Sequence, residues 1–583
     1  MNEKIALILK KIQNLFVWYP LVLLMSFGLA SVIIYAIENN LKKDPGFFCL
    51  KIGFIFGLGI SLMFALKMLS QRIKKGYLFE ILGLLILFGY YFIFPEKEED
   101  FTEVYAFILV PTFILSHLLV AFVPYLKKEN SEKSFWQYNK NLFVNFVLTL
   151  IFTGVLVGGV ELAIVSVENL FNLDFNSETY AEVFFSLSII GSAIIFLLFN
   201  ETGLEYLEKD GSYPIVLKFF TQFILIPLLL IYAVILYFYS GKILINWELP
   251  RGWVSYLVLA YSIVGILALL LVHPLKEEKA KSWVKMFSKI FYYTLIPLII
   301  LLFIAIFTRV LEYGYTEPRY FVLLLALWLT TVVFYFIFKR NATIKFIPIS
   351  LFLFGLFALT FPYFNTFSLS KRSQKNELEK ILTENQLLVN GKIDFNKEVV
   401  DTVKTEIENK FKYLNDRHEE NFLVNFMSKK PKSTENKYWF YDHFKNIRYT
   451  TTNDYDPNNR VIRLRNTADY FDISGYQYII NKENYETNID KQFGEDNFKI
   501  ENSGGKNPSY QLTINSKTIE LFPKIKELCK NKQASENEQE TTDLFIETDW
   551  EGYHIKIIFE SIQRFPKDET YYIQDAVYLI KKN

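Results

Sequence analysis

Residues 320–338 read YFVLLLALWLTTVVFYFIF, a stretch without a single charged side chain. An α-helix needs about 20 apolar residues to cross a hydrocarbon layer of about 30 Å. Backbone N–H and C=O groups in lipid must be satisfied within their own segment, so this stretch is predicted to be a membrane-spanning helix. Comparable runs recur from residue 16 to residue 362. The sequence therefore predicts an α-helical polytopic membrane bundle of about eleven transmembrane helices.

Each predicted span follows one apolar run. The spans are residues 16–36, 47–68, 77–94, 104–124, 142–166, 180–199, 217–239, 253–272, 287–308, 320–338 and 344–362. Ahead of them, residues 5–16 place apolar side chains at helical spacing around three lysines, which predicts a short amphipathic helix on the cytoplasmic surface rather than a cleaved signal peptide. Residues 1–366 are predicted to form the membrane domain.

Lys and Arg residues are distributed unevenly over the loops and span ends. One alternate set of these segments carries 21 of them and the other set carries 8. Cytoplasmic loops of membrane proteins hold an excess of Lys and Arg, so we predict a cytoplasmic N-terminus. Eleven crossings then place the C-terminal module outside the cytoplasm.

The chain after residue 366 becomes polar, which predicts a soluble α+β module. Residues 367–430 have helical periodicity and form a predicted juxtamembrane segment, interrupted by a turn at Asn390-Gly391. In residues 431–583 the period changes to two, which predicts an antiparallel sheet or small sandwich. The predicted strands are residues 461–465, 475–480, 510–514, 553–558 and 571–580, with a turn at Asn515-Ser516 and a short helix at 523–532.

Composition and motifs exclude several function classes. The 62 basic and 61 acidic residues nearly cancel, so no nucleic-acid partner is indicated. Cys49 and Cys529 are the only cysteines, which excludes a disulfide framework and a Cys-ligated zinc site. Residues 454–458 have calcium-loop spacing but lack the required Gly and Glu, which favours an ordinary turn, and His443 shows no zinc spacing. The sequence contains no nucleotide-binding loop or nucleophile elbow, so we expect no cofactor, no metal and no catalytic residue, and an enzyme is disfavoured.

Two ionisable residues inside the predicted spans, Glu161 and His117, are candidate functional groups. Glu161 follows Gly154 and Gly158 on one helix face, and such small residues favour close helix packing, so we expect Glu161 to face the bundle interior. It is either a proton or cation site or a protonated carboxyl that hydrogen-bonds a neighbouring helix. His117 lies near the middle of its span, after Pro111, and is either a relay group or an interhelical hydrogen-bond partner.

Charges are densest between predicted spans nine and ten, where Arg309, Glu312, Glu317 and Arg319 surround the turn at Gly314. A helix-turn-helix boundary explains most of this segment, with an Arg309–Glu312 pair at i, i+3 and Thr316 as the N-cap of the next helix. Arg319 is positioned to enter the bundle, where it needs an anion, carbonyls or water. We predict that Arg319 pairs with the carboxylate of Glu312, Glu317 or Glu161.

Three segments resemble signatures of the domain-of-unknown-function 4153 family of bacterial membrane proteins. They are Tyr-Gly-Tyr-Thr-Glu-Pro-Arg-Tyr at 313–320, Pro-Tyr-Phe-Asn-Thr-Phe-Ser-Leu-Ser-Lys at 362–371 and Asp-Ile-Ser-Gly-Tyr at 472–476. The resemblance covers most of the chain and implies a bacterial cytoplasmic (inner) membrane, with no catalytic residues to carry over. One departure is visible, since Tyr413-Leu414 is followed by His418-Glu419 where the family pattern has His-Gly.

Two function classes follow from these patterns. The first is a transporter-like or channel-like protein that moves a small solute or ion past Glu161 and His117. The second is a membrane scaffold or sensor whose outer β-rich module binds an envelope protein. An intramembrane transferase ranks lower because no catalytic acids or bases cluster at one membrane face. The lipid bilayer is the predicted environment in each case.

Overall fold

The computed structural model describes residues 2–73, 76–126, 132–209, 213–246, 253–273, 282–397, 399–427, 439–440, 449–450, 462–468, 470–481, 488–493, 496–503, 508–530, 539–565 and 569–583. The predicted polar turn at 454–458 and His443 lie outside these residues. The chain divides into two compact units. The first comprises Met1–Phe395 and Glu406–Asn446, and the second comprises Asn396–Thr405 and Ile447–Asn583.

The first unit begins with helices that follow the apolar runs. They are α1 (Asn2–Trp18), α2 (Pro20–Glu38), α3 (Lys43–Ser70), α4 (Tyr77–Tyr91), α5 (Ala106–Phe122), α6 (Glu132–Phe171), α7 (Ser177–Ser186), α8 (Ser192–Phe199), α9 (Leu204–Leu207), α10 (Ile215–Phe219), α11 (Ile226–Asn246), α12 (Trp253–Val272), α13 (Ser282–Tyr313), α14 (Glu317–Phe338) and α15 (Phe346–Thr360).

Among the described residues, nine continuous helical segments are long and apolar enough to cross a membrane. Two further apolar helices, α4 and α15, have 15 residues each. At a rise of 1.5 Å per residue they extend about 22 Å, less than a typical hydrocarbon layer. Together the eleven elements match the eleven predicted runs, so the predicted fold class is confirmed: the chain is a multi-pass membrane protein with a mostly helical first part.

Several of the long helices contain local irregularities. A π-helical turn at Leu187–Gly191 joins α7 to α8, and another at Phe220–Leu225 joins α10 to α11. Helix α5 contains Pro111 and α13 contains Pro297. Short 3₁₀ turns extend α5 at both ends, so that one apolar helical segment runs from Glu103 to Tyr125. Missing or shifted backbone hydrogen bonds at such positions give a helix places where it can bend.

Three more helices follow the last membrane helix. They are α16 (Thr366–Glu384), α17 (Asp401–Asn415) and α18 (Glu420–Val424). Between α16 and α17, strands β1 (Leu388–Val389) and β2 (Lys392–Ile393) pair around Asn390 and Gly391. Both turn residues have positive φ, which agrees with the predicted turn.

The second unit contains most of the strands. They are β3 (Val399–Val400), β4 (Tyr449–Thr450), β5 (Ile462–Asn466), β6 (Tyr478–Asn481), β7 (Asn488–Phe493), β8 (Asp496–Ser503), β9 (Ser509–Ile514), β10 (Lys517–Glu520), β11 (Gln539–Thr541), β12 (Phe545–Trp550), β13 (Tyr553–Phe565) and β14 (Thr570–Lys582). One helix, α19 (Phe522–Lys530), lies among them. Strands β7 to β10 form an antiparallel sheet in the order β10-β9-β8-β7, and the order β11-β5-β13-β14-β6 describes a second sheet, in which β12 also pairs with β13.

Buried side chains from both sheets, such as Phe498 and Ile514 on one and Ile557 and Phe559 on the other, share a single apolar core. This is the small sandwich that the alternating pattern favoured. The predicted turn at Asn515-Ser516 joins β9 to β10, and both residues have positive φ. Strands β7, β8, β10, β11 and β12 were not predicted, because their polar residues weaken the alternation that marks a half-buried strand.

Candidate functional site

The turn between α13 and α14 is the centre of a dense hydrogen-bond network. Gly314 adopts a φ of 74°, and a Cβ atom there would lie 2.8 Å from Cγ of Glu377 and 2.8 Å from Oγ of Ser373. Only glycine fits such a left-handed position at this close approach. Thr316 is the N-cap residue of α14, as predicted, and has an extended backbone, although its side chain makes no cap hydrogen bond.

Three side chains donate to the carbonyl oxygen of Tyr313. Nη1 of Arg319 lies 3.3 Å away, Nε2 of Gln374 2.9 Å and Nζ of Lys410 2.9 Å. Lys410 also donates to Oε1 of Gln374 at 2.8 Å, and Gln374 donates to the carbonyl oxygen of Tyr315 at 2.7 Å. Burial lowers the pKa of Lys410, against the opposing effect of nearby carboxylates. These bonds fix α16 and α17 to the end of the α13–α14 hairpin.

Glu317, the first residue of α14, forms a buried ion pair with Arg417. Nε of Arg417 donates to Oε1 at 2.7 Å and Nη2 donates to Oε2 at 2.9 Å, which is the bidentate arrangement of a guanidinium with a carboxylate. The Glu317 side chain is fully buried and that of Arg417 is 4% exposed. A pair so far from water is sensitive to loss of either partner, because the remaining charge stays in a medium of low polarity.

Tyr413 completes this group, one helical turn before Arg417. Its hydroxyl donates to Oε2 of Glu317 at 2.7 Å, and the Arg417 guanidinium carbon lies 3.4 Å from the centre of its ring. Burial, together with the negative charge of Glu317, raises the pKa of Tyr413. The hydroxyl therefore remains a hydrogen-bond donor at neutral pH, so the carboxylate accepts from both a guanidinium and a phenol.

A cavity of about 230 Å³ lies beside this ion pair, within the first unit. Its wall includes Glu317, Asp416, Arg417 and Lys371, and its remaining lining is Ile93, Thr102, Val104, Tyr105, Ile108, Phe367 and His418. The cavity thus combines charges of both signs with an apolar wall that comes from the segment 103–125, the residues after α4 and the start of α16. Such convergence of polar groups in a partly apolar cavity is typical of a ligand site.

Two lysines of α16 bind one carboxylate near the cavity. Nζ of Lys371 lies 2.9 Å from Oε1 of Glu419, and Nζ of Lys375 lies 2.5 Å from Oε2. Burial alone would raise the pKa of Glu419, but the hydrogen bonds from both lysines outweigh it and leave the pKa below its usual value. Lys371 lines the cavity, whereas Lys375 is not among its lining residues.

A second Glu–Arg pair lies at the other end of α5. The carboxylate of Glu208 accepts from Arg72, and it also accepts from the hydroxyl of Tyr125, in the 3₁₀ turn that follows α5. Tyr105, in the turn that precedes α5, lines the cavity. Twenty helical residues separate the two tyrosines, which corresponds to about 30 Å. One membrane helix therefore has a Glu–Arg pair near each of its ends.

The structure changes the interpretation of Glu161. Gly154 and Gly158 on α6 have no other residue within 4 Å of an added Cβ atom in the described part of the chain, so the predicted close helix contact at these glycines is wrong. Small residues permit a close approach but do not enforce one. Glu161 itself is partly buried, and its Oε1 is enclosed without a hydrogen-bond partner among the described residues.

His117 does not extend this site. Its side chain is exposed, and Nδ1 lies 2.8 Å from the carbonyl oxygen of Phe113 in its own helix. In the part of the chain that the structure describes, no hydrogen bond or ion pair joins His117 to Glu161. The relay that would need both residues is not assembled.

In the described part of the chain, Arg319 forms no ion pair with a carboxylate. Its guanidinium donates to the carbonyl oxygens of Tyr313 and Gly314, the latter at 2.7 Å, so the predicted partner is wrong. The last carbonyls of a helix lack intrahelical partners and carry partial negative charge, so those at the end of α13 are the nearest strong acceptors. Arg309 lies over the Tyr313 ring, at 5.9 Å, and the described residues show no ion pair between Arg309 and Glu312.

Local sequence reasoning found Glu317 but missed the residues that complete its site. Gln374, Lys410, Tyr413 and Arg417 belong to later helices, up to 100 positions along the chain from Glu317. One sequence signal could have predicted part of this site. Tyr413 and Arg417 are spaced i, i+4, and at this spacing a guanidinium can stack on an aromatic ring at the end of a helix. Among the described residues, no three His, Cys, Asp or Glu side chains group as metal ligands.

Comparison with known proteins gives a family but no activity. A family model described as a domain of unknown function, DUF4153, matches residues 24–395. An uncharacterized protein of Pasteurella multocida (strain Pm70) is 25% identical over 387 residues, which cover 65% of this chain and 61% of that protein. The chain thus spans less than two thirds of that relative's length. No solved structure matches significantly.

Proposed function

Because the chain belongs to the DUF4153 family of unknown function, we propose its activity from its own site: a transporter-like membrane protein that binds a small polar solute in the Glu317–Arg417 cavity. The single observation that carries the proposal is the fully buried, bidentate ion pair in the wall of a cavity at the end of a membrane helix. An ion pair of this kind is costly to desolvate and contributes little net stability compared with apolar residues of similar size. Its placement at a cavity favours a role in binding.

The second Glu–Arg pair supports transport over simple binding. Arg72 and Glu208 lie near one end of α5 and the cavity lies near the other, so charged groups flank the apolar segment of that helix on both sides. Transport needs a site that opens to each side in turn, with movement of one helix group against another. Pro111 in α5 and the π-helical turn at Phe220–Leu225 are places where the helices can bend.

Uptake into proteoliposomes tests the proposal. Full-length protein is reconstituted, a defined mixture of small amino acids, organic acids, amines and sugars is added outside, and the solutes retained inside are measured by mass spectrometry. Val104→Phe fills part of the cavity without altering a charge, and we expect it to reduce uptake of the transported solute at least tenfold.

Val155→Phe is the matched control, because Val155 is 70% exposed on α6 and its substitution adds the same volume outside the cavity. We expect uptake by this variant within twofold of the parent protein. If no solute in the mixture accumulates, or if the two variants lose uptake equally, the cavity is not a transport site.

A scaffold or sensor role is the second candidate, and exposed apolar side chains in the second unit favour it. Tyr470 is 84% exposed, and Ile473 and Ile479 are also exposed, the last on β6 at one end of the described strand order. Exposed apolar side chains beside an unpaired strand edge are suited to binding an extended peptide. Tyr470→Ser would then abolish binding of an envelope protein by the purified chain while leaving solute uptake unchanged.

The orientation and the domain limits belong to the same proposal. The excess of Lys and Arg in alternate loops supports a cytoplasmic N-terminus in a bacterial inner membrane, with the β-rich part outside the cytoplasm. The nine long helices alone give nine crossings, and α4 and α15 raise the number to eleven. Both numbers are odd, so either count places the β-rich part on the side of the membrane opposite to the N-terminus. We keep residues 1–366, 367–430 and 431–583 as the proposed membrane, juxtamembrane and β-rich segments.

A further inference from the structure

We infer that the cavity binds a small zwitterion, a molecule with a primary ammonium group and an acid group, of the size of a small amino acid. This inference rests on the proposed function, since it names the solute class of the same cavity. Its volume of about 230 Å³ equals that of about seven to eight water molecules at about 30 Å³ each. That space admits a molecule of the size of a small amino acid.

The cationic part of the wall can hold an acid group. A guanidinium has five N–H donors, and Arg417 uses three of them, through Nε and Nη2 to Glu317 and through Nη1 to the carbonyl oxygen of Tyr413. About two donors remain. Lys371 binds Glu419 through one contact, and an ammonium group has three donors. Both cations therefore retain hydrogen-bonding capacity beside the cavity.

The anionic part of the wall can hold an ammonium group. A carboxylate offers about four acceptor positions, and Glu317 uses three of them, for Nε and Nη2 of Arg417 and for the hydroxyl of Tyr413. Its Oε1 accepts one of these bonds and keeps a further acceptor position. Asp416 adds a second carboxylate to the wall. A ligand with both charges can use the remaining donors and the remaining acceptor position of the wall, whereas a ligand with one charge can use only one of these two sets.

The apolar part of the wall limits the rest of the ligand. Ile93, Val104, Ile108 and Phe367 line the cavity with hydrocarbon side chains. A short apolar side chain between or beside the two charged groups of the ligand would contact them. Sugars, which carry hydroxyl groups on most of their carbons, would leave hydroxyl groups facing this wall without partners. The combination selects a small amino acid over a sugar, an amine or a simple acid.

Three chemically related small probes separate these classes. L-Alanine carries both charges, propionate lacks the ammonium group and ethylamine lacks the carboxylate. Binding is measured by calorimetry on full-length protein in nanodiscs of phosphatidylcholine and phosphatidylglycerol, lipids without a primary ammonium group. We expect L-alanine to bind at least tenfold more tightly than either of the other probes.

Lys371 and Lys375 supply a matched pair of variants, because both bind Glu419 but Lys371 lines the cavity. We expect Lys371→Gln to weaken L-alanine binding about tenfold, as loss of one charge-assisted hydrogen bond does. Lys375→Gln should change it less than twofold. Equal effects of the two substitutions would overturn the assignment.

The phosphoethanolamine head of a lipid shares this chemistry with free amino acids. Nanodiscs that contain phosphatidylethanolamine distinguish the two sources: unchanged L-alanine affinity assigns the cavity to a free solute, and a tenfold weaker apparent affinity assigns it to the headgroup. Propionate or ethylamine binding as tightly as L-alanine overturns the zwitterion inference while the proposed transport stands. Uptake of another solute without L-alanine binding also overturns the zwitterion inference and leaves the proposed transport standing. If neither uptake nor probe binding is observed, the transport proposal and the zwitterion inference are both overturned.

Discussion

Replacing Arg417 with Met gives the sharpest test of the buried ion pair. The substitution keeps most of the side-chain volume but leaves the carboxylate of Glu317, which is fully buried, with Tyr413 as its remaining hydrogen-bond donor in this group. Removing one partner of a buried pair costs about 3–5 kcal/mol of unfolding free energy, because the other charge stays desolvated and unpaired. We therefore expect Arg417→Met to destabilise the first unit by about that amount.

A double variant separates loss of the pair from loss of packing. In Glu317→Leu/Arg417→Met the buried charge is absent, and replacement of a whole buried pair by apolar residues is often neutral or stabilising by about 1–4 kcal/mol relative to the pair. We expect the double variant to recover at least half of the stability lost by Arg417→Met. Unfolding free energies are measured by titrating the purified protein in mixed micelles with a denaturing detergent and following tryptophan fluorescence.

Lys11→Met supplies the matched control. Lys11 pairs with Glu201 at 2.9 Å in the same unit, but its side chain is 46% exposed. Exposed ion pairs contribute about 0–1 kcal/mol, so this substitution should have an effect of that size at most. A loss for Arg417→Met no larger than that for Lys11→Met would refute the argument that the Glu317–Arg417 pair is desolvated.

Three other predictions concern topology, the α13–α14 turn and the β-rich unit. A reporter that is active only in the cytoplasm, fused after Asn583, should be inactive, and an active fusion would reverse the proposed orientation. Gly314→Ala should lower the unfolding free energy by about 1–2 kcal/mol because of its positive φ, and by about 1–3 kcal/mol more because the added Cβ atom would meet neighbouring side chains. Gly391 has a similar φ but no atom within 4 Å of an added Cβ atom, so Gly391→Ala should cost only the first amount. Equal losses of unfolding free energy in the same detergent titration would contradict the close approach at Gly314. Hydrogen bonds from Tyr553 and other groups lower the pKa of Asp496 from its unfolded value near 3.8 to about 2, so its stabilising effect is complete above the unfolded pKa and is lost as the pH falls through about 2. Hydrogen exchange in β13 and β14 should accordingly be faster in Asp496→Asn than in the parent protein at pH 6, and part of this difference should remain at pH 3, below the unfolded pKa. A difference that has already disappeared at pH 3 would argue against the lowered pKa.

The membrane helices were predictable because lipid imposes a simple requirement on each segment. Residues 320–338 have to satisfy their backbone hydrogen bonds internally, whatever surrounds them, so their helical state follows from composition alone. The same argument fails for side-chain partners. Glu317 was found as an unusual charge at a helix boundary, but its bond to Arg417 joins residues 100 positions apart, and no local spacing encodes that contact.

The incorrect predictions have identifiable physical causes. Arg319 was expected to bind a carboxylate, yet its guanidinium donates to the carbonyl oxygens of Tyr313 and Gly314 at the end of α13, where carbonyls lack intrahelical partners. Gly154 and Gly158 have the spacing of a helix-packing motif, but the motif only removes a steric obstacle, and the other groups on α6 decide which face meets a neighbour. Strand β7 has a polar sequence, NIDKQF, and forms because β8 pairs with it.

The spacing of the two Glu–Arg pairs along α5 also constrains the bilayer in which this protein can reside. About 30 Å separates Tyr105 and Tyr125, close to the hydrocarbon thickness of a typical membrane. Neither pair can be drawn into hydrocarbon without a large desolvation cost, so α5 cannot accommodate a thicker bilayer by sliding along its own axis. In such a bilayer the lipid must compress locally, or one of the two ion pairs beside the ends of α5 must enter hydrocarbon. The protein therefore matches a membrane of about this thickness, and lipids with longer acyl chains would strain both of its charged ends at once.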